Sequence, residues 1–288
     1  MSRTHANTEV FESHRSRLVG IAYGMLGTLM DAEDIVQDVY LRWADVDLTT
    51  VESPPAYLTT MTTRRAINVL TSARHRRESY VGPWLPEPVV VEIDGGDPGA
   101  ALALAEQYSL AMLTAMERLN PVERAALILR DVFDLEYGEI ADIVDKSPAN
   151  CRQLVARARD HVADGRKRGY VDDSAARLLL GEYLAAVVTD DVDRLARVFA
   201  EDVVLWADGG GKARAARHPL HGADRVARHL IGVRPQTPPG TEVRLVRVNG
   251  DPGVMGVVDG RRVGVIAFEI VDGRIQSVRA ILNPDKLG

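Results

Sequence analysis

The stretch EYGEIADIVDKSPANCRQLVARARDHV, Glu136–Val162, decides how this chain is read. Tyr137–Val144 has the length of a short helix and Asp145–Lys146 forms a turn. Ser147 then serves as an N-cap, with Pro148 at the first helical position, where its missing N–H costs nothing. Ile140, Ile143, Leu154, Val155 and Ala158 recur at helical spacing and would pack the two helices across the turn, leaving Asn150, Arg152, Gln153, Arg157 and Arg159 outside. The pattern predicts a helix-turn-helix whose second helix is polar. Its amide side chains can pair bidentately with adenine and its guanidinium groups with guanine. An ordinary helical hairpin would share the spacing. The turn carries Asp145 where glycine often supplies a positive φ, a conformation that Asp tolerates at modest cost. Cys151, the only cysteine, reads as a small buried residue, since no second thiol could resolve an oxidised one.

Working outward, Ala101 to about Gly169 keeps helical periodicity, and so does Phe11 to Tyr80. Between them VGPWLPEPVVVEIDGGDPGA, residues 81–100, holds Pro83, Pro86, Pro88 and Pro98 among several glycines and reads as a linker. In the first block Asp31 is placed to cap a helix that buries Ile35, Val36, Val39, Tyr40 and Trp43. Asp31, Asp34, Gln37 and Asp38 fall on another face as an acidic strip, either plainly solvated or a docking strip for a basic surface. Downstream, Arg64, Arg65, Arg74, Arg76 and Arg77 set five arginines against the single acid Glu78, a basic patch inside a chain of net charge −6.

The 288 residues suffice for two or three domains, and 46% hydrophobic with 26% charged residues excludes wholesale disorder. No apolar run approaches the roughly 18 residues of a membrane span, and the amino terminus is polar, so a cytoplasmic protein is expected. Neither a cofactor nor a structural metal is called for by any Cys/His cluster.

After GRKRGYVDD the style changes: two helical stretches, Ala175–Val188 and Val192–Ala200, precede the strand-like runs VVLWA, EVRLVRV, GVMGVV, RRVGVIAFEIV and RIQSVRAIL. The turns VNGDPG, VDGRR and VDGR carry the Asn-Gly or Asp-Gly signature of tight hairpins. Helices followed by an antiparallel meander predict an α+β domain. The run WADGGGKARAARHPLHG, Trp206–Gly222, offers glycines and a lysine like a phosphate loop. Trp206 occupies the place of that loop's first glycine and Ala213 that of its hydroxyl, so nucleotide hydrolysis is a poor reading.

The order of parts is informative. DAEDIVQDVYLRW with PPAYLTTMTTRRAINVL resembles region 2 of bacterial extracytoplasmic-function (ECF) sigma factors, and ERLNPVERAALILRDVFDLEYGEIADIVDKSPANCRQLVARARDHV resembles their region 4. WLPEPV, DGGGK and NPDKL are similar to marks of the subgroup with a SnoaL-like carboxy-terminal extension. The resemblance implies a multidomain fold: an all-α region 2 over 1–82, a linker over 83–100, an all-α region 4 over 101–168, and an α+β SnoaL-like (NTF2-like) barrel over 174–288. It also implies roles. Asp31, Asp34, Gln37 and Asp38 would meet the β′ clamp helices of core RNA polymerase, whose β subunit is also a partner. Arg64, Arg65, Asn68, Arg74, Arg76 and Arg77 would engage the −10 element of promoter DNA. Ser147, Asn150, Arg152, Gln153, Arg157 and Arg159 would read the −35 element. The extension would be a built-in regulator. Its contacts would come from Trp206, Asp208, Gly209, Gly210, Gly211 and Lys212, with Asn283, Pro284, Asp285, Lys286 and Leu287, and a small ligand is a further partner to consider. In that role the glycines allow close backbone approach and Lys212 pairs with an acidic neighbour; a bland turn would read the same.

Two other functions compete with the sigma factor. A ligand-responsive repressor would leave the acidic strip and the arginine-rich helix idle. A ketosteroid-isomerase-like enzyme needs a carboxylate base in a cavity and a donor for the enolate. Asp208, His218, His221, Glu242 and Glu269 are the candidate groups, and tyrosine is absent after Tyr183. A non-enzymatic role is the expectation.

Overall fold

The computed structural model describes residues 3–77, 79–93, 99–163 and 172–288; the side chains of residues 3–4, 73–77, 99–102 and 173 lie outside that description. The chain forms two compact units: Met1–Ser79 with Met112–Gly165, and Tyr80–Ala111 with Arg166–Gly288.

The first unit is helical. Helix α1 (Arg3–Leu26) packs against α2 (Leu29–Trp43) and α3 (Pro54–Arg77). Ala32, Ile35, Val36, Val39 and Trp43 are buried on one face of α2, the apolar stripe that drives the packing. Thr28, not Asp31, holds the N-cap position; its hydroxyl donates to Asp31 Oδ2 at 2.5 Å, so Asp31 lies within the first turn, where a carboxylate favours the helix dipole. At the other end of α2, Asn7 Nδ2 donates to the carbonyls of Trp43, Ala44 and Val46, while Trp43 Nε1 returns a bond to Asn7 O.

In the same unit α6 (Pro121–Asp131) starts from a capping box of Asn120 and Glu123. Helices α7 (Tyr137–Val144) and α8 (Pro148–Val162) follow with the boundaries read from the sequence. Ser147 Oγ accepts from Asn150 N, and Asp145 takes the left-handed conformation at φ 55°. Ile140, Ile143, Leu154, Val155, Ala158 and Cys151 are buried, and burial pushes the Cys151 thiol up.

The second unit is α+β. Two helices near its start are α4 (Gly99–Gln107) and α5 (Leu110–Met116), the latter beginning in this unit, and α9 (Asp173–Val188), α10 (Val192–Val198) and α11 (Ala223–Val233) cover one face of a sheet. Its strands are β1 (Val90–Glu92), β2 (Phe199–Asp208), β3 (Leu220–His221), β4 (Glu242–Val248), β5 (Asp251–Val258), β6 (Arg261–Val271) and β7 (Arg274–Ile281), in the order β1-β4-β5-β6-β7-β2-β3. The hairpin turns have left-handed residues in pairs, Asn249–Gly250, Asp259–Gly260 and Asp272–Gly273, as the dipeptides predict.

Four features depart from the expected meander. Strand β2 begins at Phe199, so Ala200 is in a strand rather than in the second helix. It pairs with β7 in parallel, because the crossover through α11 returns the chain to the far side of the meander. Helix α11 itself is absent from the sequence reading, although Val226, Ala227 and Leu230 give it a buried stripe. The linker, finally, contributes a strand: Val90 pairs with Val248 and Glu92 with Val246 on the β4 edge.

Candidate functional site

In β2, Leu205 and Ala207 face the helices, whereas Trp206 and Asp208 face the opposite side, which the linker covers. There the three short motifs of the second unit converge. Asp208, wholly buried, accepts from Tyr80 Oη (2.6 Å), Leu85 N (2.8 Å), Gly210 N (3.0 Å) and Lys286 Nζ (2.7 Å). Lys286 also donates to Leu85 O and lies over the Trp84 ring at 4.2 Å. Asn283 Nδ2 donates to Tyr80 Oη, and Asn283 N to Asp208 O. Burial, reinforced by the Asp208 carboxylate, keeps the Tyr80 hydroxyl protonated and so a donor.

The glycines follow from this crowding. A Cβ on Gly210 would overlap the Asn283 side chain, and Gly210 and Gly211 both have positive φ, at 57° and 72°. Lys212 Nζ holds both oxygens of Asp285, beside Pro284 in a short 3₁₀ turn, and Leu287 is buried in the outer core cluster. Trp206 lies under the Arg279 guanidinium, which Ser277 and Glu269 engage. A second anchor holds the linker near β1: Asn249, buried at φ 52°, exchanges backbone and side-chain bonds with Val89 and donates to Tyr108 O. Tyr80, Leu85 and Asn249 escaped the sequence reading because they look like a boundary residue, a proline-flanked leucine and a hairpin turn.

Among the other expected site residues, Asp34 and Gln37 are exposed, while Asp31 and Asp38 are half-buried. Asp38 is paired with Arg65. Arg64 donates to the carbonyls of Asp142 and Ile143 in the last turn of α7, where a cation suits the helix dipole. Asn68 is exposed; the side chains of Arg74, Arg76 and Arg77 lie outside the described residues. On α8, Asn150, Arg152, Gln153, Arg157 and Arg159 are all exposed, with Arg152 stacked on Tyr137 and Arg159 bonded to Asp131. Arg124, fully buried, was not singled out from sequence; it joins Gly24 O to Glu117.

The candidate groups for isomerase chemistry do not assemble. A cavity of about 540 Å³ lies between the helices and the inner face of the sheet, and none of Asp208, His218, His221, Glu242 and Glu269 lines it. Among the described residues no His, Cys, Asp and Glu cluster could hold a metal ion, and no helix is long and apolar enough to cross a membrane.

Residues 10–76 match the family model for Sigma-70 region 2, and residues 109–162 that for Sigma-70, region 4. This pair of regions defines the class, a sigma-70-type factor. The chain is 38% identical over 286 residues to the ECF RNA polymerase sigma factor SigJ of Mycobacterium tuberculosis (strain H37Rv), covering 96% of this chain and 91% of that one. It is 29% identical to the probable ECF RNA polymerase sigma factor SigI of M. tuberculosis (strain CDC 1551), covering 100% and 97%. The crystal structure of M. tuberculosis SigJ superposes with a TM-score of 0.76 at 34% identity, over 97% of each chain. The chain therefore belongs to the ECF sigma factors, with a carboxy-terminal extension, and its relatives are sigma factors rather than enzymes.

Proposed function

We propose that this sigma factor directs core RNA polymerase to promoters in the cytoplasm and carries its own regulator. Residues 1–82 bind polymerase and the −10 element, 101–168 read the −35 element, and 174–288 act on the linker between them. Asp31, Asp34, Gln37 and Asp38 dock on the polymerase β′ subunit. Arg64, Arg65, Asn68, Arg74, Arg76 and Arg77 engage the −10 element, and Ser147 to Arg159 lie in the major groove of the −35 element. The linker would run through polymerase, against its β subunit.

The observation that carries the regulatory reading is the single buried carboxylate of Asp208, which holds Tyr80, just before the linker, and Leu85 within it. A linker clasped there is not free to thread another protein, so release of the clasp would set how much sigma factor is competent. The test is run-off transcription with purified core polymerase, comparing the full chain with its Tyr80→Phe and Asp208→Asn variants. Loosening the clasp should change the yield of transcript while leaving the preferred −35 sequence unaltered. Equal yields from all three proteins would remove the regulatory role, and binding of core polymerase without promoter selectivity would remove the initiation role.

A further inference from the structure

The cavity above the sheet has a size at which proteins bury drug-sized ligands. Its walls are largely aliphatic, with Leu205, Ala207, Val254 and Ile266 from the strands and Leu230 from α11. Among the described residues no aspartate or glutamate lines it. Tyr183 of α9 is 3% exposed, its ring edge-on to Phe199 and Phe268. Among the described residues nothing hydrogen-bonds its hydroxyl, and burial keeps that hydroxyl protonated, a donor lacking an acceptor. His229, also in the lining, is held toward its neutral form by burial.

The two arginines of the lining differ. Arg234 is bonded to both oxygens of Asp190. Arg214 is exposed, so it stands at the mouth, and it pairs with no carboxylate among the described residues. A guanidinium with no carboxylate partner among the described residues, beside an apolar hollow, is complementary to an amphipathic anion. We propose that the cavity binds an amphipathic carboxylic acid, its apolar body among the aliphatic walls and its carboxylate on Arg214.

The site shares its frame with the linker clasp. Leu205 and Ala207 alternate along β2 with Trp206 and Asp208, so one strand presents the cavity floor on one face and the clasp carboxylate on the other. Arg214 follows Lys212 by two residues in the loop whose Gly209 carbonyl accepts from Lys212 N and Ala213 N. An acid that draws Arg214 inward pulls on the loop that closes the clasp. This consequence rests on the regulatory reading above; the binding itself does not.

The full-length protein is tested by displacement of the fluorescent probe 1-anilinonaphthalene-8-sulfonate with dodecanoate, dodecan-1-ol and dodecylamine. Dodecanoate should displace it about ten-fold more tightly than the alcohol or the amine, the worth of one charge-assisted hydrogen bond. Arg214→Gln should cost the acid about ten-fold and leave the alcohol unchanged. Val233→Trp, which fills the lining from the end of α11, should abolish displacement by all three, with Leu184→Trp as the alternative filler if that variant loses its far-UV helicity. Equal affinities for acid, alcohol and amine, or binding that survives a folded filler variant, would overturn the site. Hydrogen exchange at the Leu85 amide reads the coupling: dodecanoate should change its rate. Binding of dodecanoate with an unchanged Leu85 rate would leave the site standing and refute its link to the clasp.

Discussion

Asp38 accepts two hydrogen bonds from Arg65, from Nε at 3.0 Å and from Nη2 at 2.7 Å. The residue proposed to meet polymerase and the residue proposed to meet promoter DNA are thus ion partners, on α2 and α3. Each surface is already holding the other in place, and a partner that takes one must compete for it.

Charge reversal separates the roles. Asp34→Lys, on an exposed carboxylate, should weaken core polymerase binding with no change in unfolding midpoint. Asp38→Lys should weaken binding and also cost up to about 1 kcal/mol of stability, since both side chains of the pair are more than 40% exposed and screened by solvent. The swap Asp38→Arg with Arg65→Asp should recover the stability but not the polymerase affinity. Chemical denaturation and a core-binding titration on the same four proteins check this.

Promoter reading should fall on the free polar groups of α8. Gln153→Ala should cost on the order of 1–3 kcal/mol at one base position if the amide pairs bidentately. Arg159 first has to leave Asp131, so Arg159→Ala should matter less for sequence than for overall affinity. Binding to a set of −35 duplexes varied one position at a time distinguishes the two patterns.

The clasp should be a stability element as well as a switch. In Asp208→Ala the Lys286 ammonium, 7% exposed, loses its buried counter-charge, a loss typically worth roughly 3–5 kcal/mol. Asp208→Leu combined with Lys286→Met should recover much of that while leaving Tyr80 Oη and Leu85 N without their acceptor. Limited proteolysis near Val81–Val89 should therefore rise in the double variant even where its melting temperature has returned.

Acid should weaken the carboxy-terminal unit through His229. Burial lowers its folded pKa below the ordinary 6.5, so the unfolded chain takes up the proton first and stability falls as pH drops through 6.5. The loss grows until the lowered folded value is passed. His229→Gln should flatten that part of the stability curve, measured by urea unfolding of the full chain at stepped pH.

The helix-turn-helix was legible because its signals are local: Ser147 and Pro148 start α8, and Asp145 bears the left-handed turn. The three later hairpins were legible for the same reason. Helix α11 was hidden by Gly222 and Gly232 at its ends, which resemble loop punctuation. Strand β1 was hidden because Val89–Val91 sit among prolines, and only the distant β4 edge makes them a strand. The parallel β2–β7 pairing, likewise, depends on a partner about 70 residues away, where no local propensity speaks. The contact loop Asp208–Lys212 could be named from its glycines, but its counterpart Tyr80 could not.

Strand β1 has a consequence for any state in which the linker leaves. It pairs with Val246–Val248 at one end of β4, whose other end already leaves Val243 52% exposed. Drawing Val90–Glu92 away would bare the backbone donors and acceptors of Val246–Val248 as well, and bare sheet margins recruit strands from neighbouring molecules. On the proposed regulatory reading the liberated factor would be prone to self-association, and concentration would become a brake: molecules released without a polymerase at hand would be lost to one another.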